Sequence, residues 1–326
     1  MTETPRHTAE LGLGLAALGR PGYINLGHRE DTSSGRSVEA MRERALAVLD
    51  AAWGAGVRYF DTARSYGRAE PFLGDWLRSR GIQADAVTIA SKWGYTYTAD
   101  WRVDAERHEV KDHSFAVLQR QWQETQRNLG GYLDLYQIHS ATLDSGVLGD
   151  PVVHAELARL KAVGTRIGLT LSGSRQAAAL ETALALTVDG LRLFDAVQAT
   201  WNPLEPSVGP ALEAAHREGL AVIIKEALAN GRLTERNQEV RFRASRQALD
   251  TIAGRFNATL DAVALAAALA RPWASVVLSG AATEAQLKSN LAALAIRWDD
   301  EAETLTETLA EDPDAYWKTR AQLAWN

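Results

Sequence analysis

The sequence predicts an α/β fold: a single TIM (β/α)8 barrel with long loops at its C-terminal face and a C-terminal tail. Eight short apolar runs alternate with segments of helical periodicity, which favours a parallel sheet. The length of 326 residues exceeds the roughly 250 that are typical of such a barrel and leaves room for long loops. No G-x-G-x-x-G motif follows a strand, which disfavours an open doubly wound sheet.

The predicted strands are short runs of apolar, β-branched or aromatic residues, each bounded by polar or glycine-containing sequence. The run at residues 57–60 is typical, because it ends in the polar sequence that begins with Asp61. No linker or low-complexity tract interrupts the series, so we expect residues 1–326 to form one domain. The strands are predicted at residues 11–18, 57–60, 87–91, 133–138, 167–171, 196–200, 221–224 and 275–278.

The predicted helices lie between these strands. Apolar residues recur at helical spacing over residues 41–52, and Gly54 or Gly56 ends that pattern as a left-handed cap would. Pro71 suits the first turn of the next helix, because its missing N–H is harmless there. Further helices are predicted at residues 114–129, 152–163, 174–186, 208–218, 260–269 and 283–294.

Composition excludes several classes of function. The formal net charge of -6 argues against a basic surface that would bind nucleic acid or an anionic membrane. With 0 cysteines, the chain has no disulfides, thiolate metal sites or cysteine nucleophile, and we expect no metal centre. The first residues resemble no signal peptide, and no apolar run reaches membrane-spanning length, so we expect a soluble, cytoplasmic protein of undetermined oligomeric state.

Ionisable residues follow three successive predicted strands. Asp61, Lys92 and His139 each stand at a strand end, and Tyr66 lies in the loop after Asp61. In a barrel the carboxyl ends of all strands meet at one mouth, so these side chains are expected to converge. Singly, each has an ordinary alternative: a helix cap, a rim aromatic, a solvated lysine and a hydrogen-bonded structural histidine. The chance placement of four ionisable groups at one barrel face is a weaker explanation than a shared catalytic site.

These four residues divide naturally into catalytic roles. A lysine ammonium favours a neighbouring phenolate, so we expect Lys92 to lower the pKa of Tyr66, with Asp61 holding Lys92 charged. Tyr66 would then exchange a proton with a substrate oxygen that His139 also hydrogen-bonds. Because no side chain is a redox centre, an oxidoreductase would need a borrowed hydride carrier.

The chain resembles the aldo-keto reductase superfamily over nearly its whole length. The resemblance rests on the motifs GVRYFDTARSYGRAEPFLG, TIASKWG, LDLYQIH, AVQATWN and LSGAATEAQLKSN. It implies a TIM barrel, a nicotinamide cofactor extended across the mouth, and hydride transfer between that cofactor and a carbonyl or alcohol substrate. It also implies that Asp61, Tyr66, Lys92 and His139 form the catalytic tetrad.

The same resemblance implies cofactor contacts. Gln198 matches a glutamine that binds the nicotinamide carboxamide, while Gly280 and Asn290 match the phosphate loop and an adenine-side asparagine. A buried amide, a turn glycine and a helix-surface asparagine are their structural alternatives.

Three positions depart from the family pattern. Thr170 or Ser172 stands where relatives have Ser-Asn, Lys225 replaces an aromatic residue, and Gln286 replaces an arginine that reads the 2'-phosphate. Lys225 either approaches the cofactor's phosphates or forms a salt bridge near Glu226. Family habit implies NADP(H), and NAD(H) is not excluded.

Substrate contacts are expected from long loops at residues 93–113 and 230–244 and from the aromatic tail with Tyr316, Trp317 and Trp325. We expect Trp93 and above all Trp201 to line the substrate pocket, and aromatic walls favour an apolar or sugar-like carbonyl.

Two other functions remain open. One is a lyase or aldolase that uses Lys92 as a Schiff base. The other is a nicotinamide-binding regulatory subunit with incidental turnover.

Overall fold

The computed structural model describes residues 9–33 and 35–326 and shows a closed barrel of eight parallel strands. The strands pair in sequence order, and the last pairs with the first in the register Glu10 to Val276. The predicted TIM barrel is therefore confirmed. The strands are β1 Glu10–Gly14, β2 Tyr59–Asp61, β3 Thr88–Trp93, β4 Leu133–Ala141, β5 Arg166–Leu171, β6 Ala196–Thr200, β7 Ala221–Lys225 and β8 Val276–Ser279.

Helices surround the barrel, and each predicted helix is present within a few residues of its expected ends. The helix Val38–Gly54 begins at Ser37, whose side chain accepts a hydrogen bond from the Ala40 amide. It ends before Gly56, whose φ of 92° is the left-handed conformation expected of a capping glycine. The α-helices are His28–Asp31, Val38–Gly54, Ala69–Ser79, Phe115–Leu129, Pro151–Ala162, Gln176–Leu184, Gly209–Arg217, Arg243–Phe256, Leu260–Leu269, Glu284–Leu291, Asp300–Glu307 and Pro313–Ala321.

Two predictions of local structure are wrong. The first strand ends at Gly14 rather than at residue 18, because the chain turns there and the Leu18 amide bonds back to the Leu15 carbonyl at 3.1 Å. The segment 93–113 is not a plain loop, since Tyr95–Tyr97 and Glu109–Lys111 pair as an antiparallel hairpin. This hairpin rises from the C-terminal end of β3 and forms one wall of the barrel mouth.

The barrel interior is packed with apolar side chains from alternate strand positions. This interior cluster consists of Tyr59, Ala90, Leu135, Ala196, Ile223, Val276 and Leu278. The chemistry must therefore lie above this packed layer, at the carboxyl ends of the strands. Within the described ranges, no single helix has the length and hydropathy needed to cross a bilayer, although one sharply bent pair passes a length-and-composition test.

Candidate active site

A buried ion pair joins the ends of β2 and β3. The Lys92 ammonium donates to one carboxylate oxygen of Asp61 and, at 2.9 Å, to the carbonyl oxygen of Thr62. The other Asp61 oxygen accepts from the Gln198 amide at 2.9 Å. Both charged side chains are almost completely enclosed, at 1% and 3% exposure. Burial lowers the pKa of Lys92, and the charge of Asp61 opposes this effect.

Tyr66 lies directly above this pair. The Lys92 ammonium is 4.9 Å from the centre of the phenol ring, and the Arg20 guanidinium carbon is 5.1 Å from it. Burial, followed by the charge of Asp61, raises the pKa of the Tyr66 phenol well above its ordinary value, and Arg20 opposes this. The net direction is opposite to the lowering expected from Lys92, because burial outweighs the nearby positive charges. Asp61 neutralises Lys92, so the pair presents little net positive charge to the phenol.

His139 completes the group of four residues. Its ring meets the Tyr66 ring edge-on with the centroids 5.6 Å apart. Burial, reinforced by the charges of Lys92, Lys225 and Arg20, lowers the pKa of His139 well below its ordinary value. The imidazole is therefore neutral at physiological pH and can hydrogen-bond a substrate oxygen without adding charge. Its Nδ1 atom is buried and has no hydrogen-bond partner among the described residues.

Two glycines bring the loops after β1 and β2 into close contact. A Cβ atom on Gly19 would stand 2.2 Å from the Tyr66 carbonyl oxygen, and one on Gly67 would stand 2.4 Å from the Gly19 carbonyl oxygen. The Arg68 amide donates to that Gly19 oxygen at 2.7 Å. This close approach places Arg20 beside Tyr66 and sets the position of the phenol.

A cavity of about 600 Å³ opens at this point and extends across the mouth of the barrel. Asp61, Tyr66 and His139 line one end, whereas Lys92 lies within the barrel wall and does not line the cavity. Gly280, Gln286 and Asn290 line the other end, beyond β8. A volume of this size is within the usual range for cofactor and substrate sites.

Most of the residues that the resemblance assigned to a cofactor line this cavity: Ser172, Gln198, Lys225, Gly280, Gln286 and Asn290. Thr170 does not, and its expected contact with the amide is wrong. Its hydroxyl is fully buried and accepts a hydrogen bond from the Ser140 amide at 2.7 Å. Of the two candidates after the fifth strand, only Ser172 reaches the cavity.

Lys225 does not form the salt bridge that was its alternative. Its ammonium donates to the Thr200 hydroxyl at 2.7 Å, while Glu226 is held by the Arg320 guanidinium at 2.5 Å. Burial lowers the pKa of Lys225 to about 8. Lys225 therefore has donors that no described residue satisfies, at the catalytic end of the cavity.

The two tryptophans expected to line the substrate pocket face away from it. Trp93 is fully buried, and its ring lies 5.6 Å from that of His113. Trp201 is 6% exposed and packs against Trp273, with the ring centroids 5.9 Å apart. Successive side chains in a strand point to opposite faces, and Lys92 and Thr200 point inward. The residues that follow them must point outward, so both substrate assignments are wrong.

Other cavity residues were not identified from the sequence. Arg20 is 3% exposed and pairs with Glu109 of the hairpin at 2.8 Å. Trp325 stacks on His108 with the ring centroids 4.0 Å apart. The C-terminal tail therefore lies over the barrel mouth, as the sequence predicted. The sequence carries no local signal for Arg20, because its partner Glu109 is 89 residues away along the chain. Besides Trp325 of the predicted tail, the catalytic end is lined by Arg20, Tyr23, Tyr95, Glu109, Glu226 and Arg320.

Comparisons with known proteins agree with the fold. The model of the aldo/keto reductase family matches residues 10–310. The aldo-keto reductase ausK of Emericella nidulans is 24% identical, over 83% of this chain and 74% of its own length. Pyridoxal 4-dehydrogenase of Microbacterium luteolum is 31% identical but matches only 40% of this chain and 39% of its own. The solved structure of the aldo-keto reductase AKR11C1 from Bacillus halodurans, a holo form, superposes with a TM-score of 0.69 at 21% identity, over 93% of this chain and 92% of its own.

Proposed function

Because this chain belongs to the aldo/keto reductase family, we propose that it transfers hydride between NAD(P)(H) and a small-molecule carbonyl or alcohol, with Tyr66 as general acid or base. The family makes the chain an oxidoreductase that uses a nicotinamide cofactor. The assignment of Tyr66 as the general acid or base rests on one observation. Tyr66 and His139 contact each other in one cavity, above the Asp61–Lys92 ion pair.

Tyr66 is suited to donate a proton to a carbonyl oxygen. Because burial raises the pKa of the phenol, it stays protonated at neutral pH, which is the form that a reduction needs. Lys92 and Asp61 position the phenol of Tyr66, because the side of the ammonium that does not contact Asp61 or Thr62 faces the phenol ring. Neutral His139 orients the same substrate oxygen by a hydrogen bond.

The other residues of the cavity fit a nicotinamide dinucleotide. The bound cofactor supplies or accepts the hydride. The amide oxygen of Gln198 accepts no hydrogen bond from any described residue and can accept one from a carboxamide, with Ser172 beside it in the cavity lining. A Cβ on Gly280 would meet nothing within 4 Å, so the turn after β8 is open for phosphates. The first turn of the helix Glu284–Leu291 contributes amides with no partner inside the helix.

Charged pairs and aromatic rings surround the catalytic end. The Arg20–Glu109 and Arg320–Glu226 pairs present hydrogen-bonding groups next to the rings of Tyr23 and Trp325. Such a surface fits a hydroxylated carbonyl compound better than a purely apolar one. Pyridoxal 4-dehydrogenase, by its name, acts on a compound of that kind.

The Schiff-base alternative has less support. Its nucleophile would be Lys92, which does not line the cavity and donates to Asp61 and Thr62 within the barrel wall. A carbonyl substrate could reach this amine only if the pair separated.

The test is a nicotinamide absorbance assay with NADH and NADPH against a panel of aldehydes and ketones, for the parent and for Tyr66→Phe. We expect Tyr66→Phe to lose roughly 10²–10⁴-fold in kcat, because the proton donor is gone, and to bind cofactor as before. Tyr132→Phe is the matched control, since that phenol donates to the Ile82 carbonyl at 3.0 Å, outside the cavity. Full activity of Tyr66→Phe would show that the assigned acid is wrong. Failure of the parent to turn over any substrate while it binds cofactor would favour a regulatory subunit.

A further inference from the structure

A carboxylate without a cation lies at the end of the cavity opposite Tyr66. Asp261 opens the helix Leu260–Leu269 and lines the cavity together with Gln286, Ser289 and Asn290. In the amide orientation that satisfies both ends of Asn290, its nitrogen donates to Asp261 at 2.7 Å and its oxygen accepts from Ser279 at 2.8 Å. Asp261 forms no ion pair with any residue in the described ranges, so its negative charge is not neutralised locally.

Nearby cations are already engaged or face away. The guanidinium of Arg236 closes on both carboxylate oxygens of Asp31 and on the Leu26 carbonyl at 3.0 Å. Lys288 is exposed on the helix Glu284–Leu291 and does not line the cavity. Gln286 is held within its own loop, where its side-chain oxygen accepts from the Ala282 amide at 2.8 Å.

A second carboxylate, Glu235, also lines this end of the cavity and is paired with Arg246. Because Glu235 and Asp31 are each paired with an arginine, the unpaired carboxylate of Asp261 leaves the described residues of this end with an excess of negative charge. A phosphate needs charged donors such as an arginine fork, and none is free among the described residues of this end. A ribose diol, by contrast, donates hydrogen bonds that a carboxylate accepts, and the free 2'-hydroxyl distinguishes NAD(H) from NADP(H).

We propose that Asp261 makes this cavity select NAD(H) over NADP(H), by accepting hydrogen bonds from the adenosine ribose and repelling a 2'-phosphate. This inference rests on the proposed function. If hydride transfer occurs at the Tyr66 end, a dinucleotide extended along the cavity would have its phosphates near Gly280 and its adenosine near Asp261, because these residues line the same cavity. The charges on this chain thus reverse the expectation of NADP(H) that family resemblance supplied.

The experiment is an equilibrium titration of the full chain with NADH and with NADPH, followed by quenching of tryptophan fluorescence and without substrate. We expect NADH to bind at least about tenfold more tightly than NADPH in the parent. Asp261→Ser should weaken NADH binding, strengthen NADPH binding and shrink the ratio of the two Kd values about tenfold. Gln286→Arg should strengthen NADPH binding only, because it adds a charged donor to the same end.

Two further variants separate this role from general effects of charge. Glu284→Ser removes an exposed carboxylate from the same region without touching the cavity lining, and it should leave the Kd ratio unchanged. The double variant Arg236→Gln/Asp31→Asn removes this ion pair without changing the net charge, and it should affect both cofactors alike. Melting temperatures confirm that each variant is folded.

Tighter binding of NADPH by the parent, or an unchanged Kd ratio in Asp261→Ser, would overturn the inference while leaving the proposed reaction intact. Selective loss of NADPH binding in the double variant Arg236→Gln/Asp31→Asn would identify that arginine as a 2'-phosphate ligand and would overturn the inference too. If neither dinucleotide binds the folded parent, the proposed function itself fails and this inference fails with it.

Discussion

Two ion pairs with buried carboxylates begin at the end of β2 and in the loop that follows it, and they differ in what surrounds them. Asp61 pairs with Lys92, and Arg64 pairs with Glu70 at 2.7 Å. Glu70 is fully enclosed and also accepts hydrogen bonds from Ser91 at 2.6 Å and Thr125 at 2.8 Å. This second pair links the loop to β3 and to the helix Phe115–Leu129, away from the cavity.

The two ion pairs show that the burial of a charged side chain does not by itself distinguish a structural role from a catalytic one. The oxygens of Glu70 are satisfied by four side chains, with Asn128 donating at 2.9 Å in addition to those above. Among the described residues, the Lys92 ammonium has two acceptors, and its remaining side faces the Tyr66 ring. A buried charge that has an unused donor facing a cavity-lining side chain is a functional candidate, whereas a buried charge with all its hydrogen bonds satisfied stabilises the fold.

The largest expected effect is that of Lys92→Met. It should reduce kcat at least about 100-fold because the phenol loses the ammonium that positions it, and it should cost about 3–5 kcal/mol of stability by leaving Asp61 buried without a cation. Adding Asp61→Asn should restore most of the stability, measured by urea unfolding, but none of the turnover. If the double variant recovered kcat together with stability, the Asp61–Lys92 pair would serve only to stabilise the fold.

Glu70→Gln should have the opposite signature. We expect it to lose about 3–5 kcal/mol in the free energy of unfolding, because a buried network loses its charged centre. At a temperature where the variant is folded, its kcat and cofactor affinity should stay close to those of the parent. Urea unfolding and steady-state kinetics on the same sample provide the measurement. A selective fall in kcat in the fully folded variant would contradict the assignment of this pair to structure.

The smallest effect is expected from Trp201→Phe. The indole packs against Trp273 outside the barrel, so a smaller aromatic should cost less than about 1.5 kcal/mol of stability and leave KM unchanged. Trp325→Phe is its counterpart inside the cavity and should raise KM for the carbonyl substrate. A large change in KM for Trp201→Phe would restore the role that the sequence predicted for it.

Sequence patterns predicted the strands well and the orientation of single aromatic residues poorly. The eight apolar runs were found because burial on both faces of a parallel strand leaves a continuous signal. Trp93 and Trp201 were misassigned because both adjoin an inward-pointing residue, and the period of two then turns them outward. A check of each candidate against the parity of its strand would have identified both.

The sequence by itself determined the barrel, the four polar residues at its mouth and, through the family motifs, the kind of cofactor to expect. Those are local patterns, since an apolar run or a motif residue is visible without knowing its neighbours in space. Only the tertiary structure decided the balance of charges. Asp61 opposes the charge of Lys92 near Tyr66, and Asp261 has no cation partner among the described residues at the far end of the cavity, because distant segments fold together there. The electrostatic potential at a residue is the sum of the contributions of all charges near it in space. The amino-acid sequence does not show which charges those are.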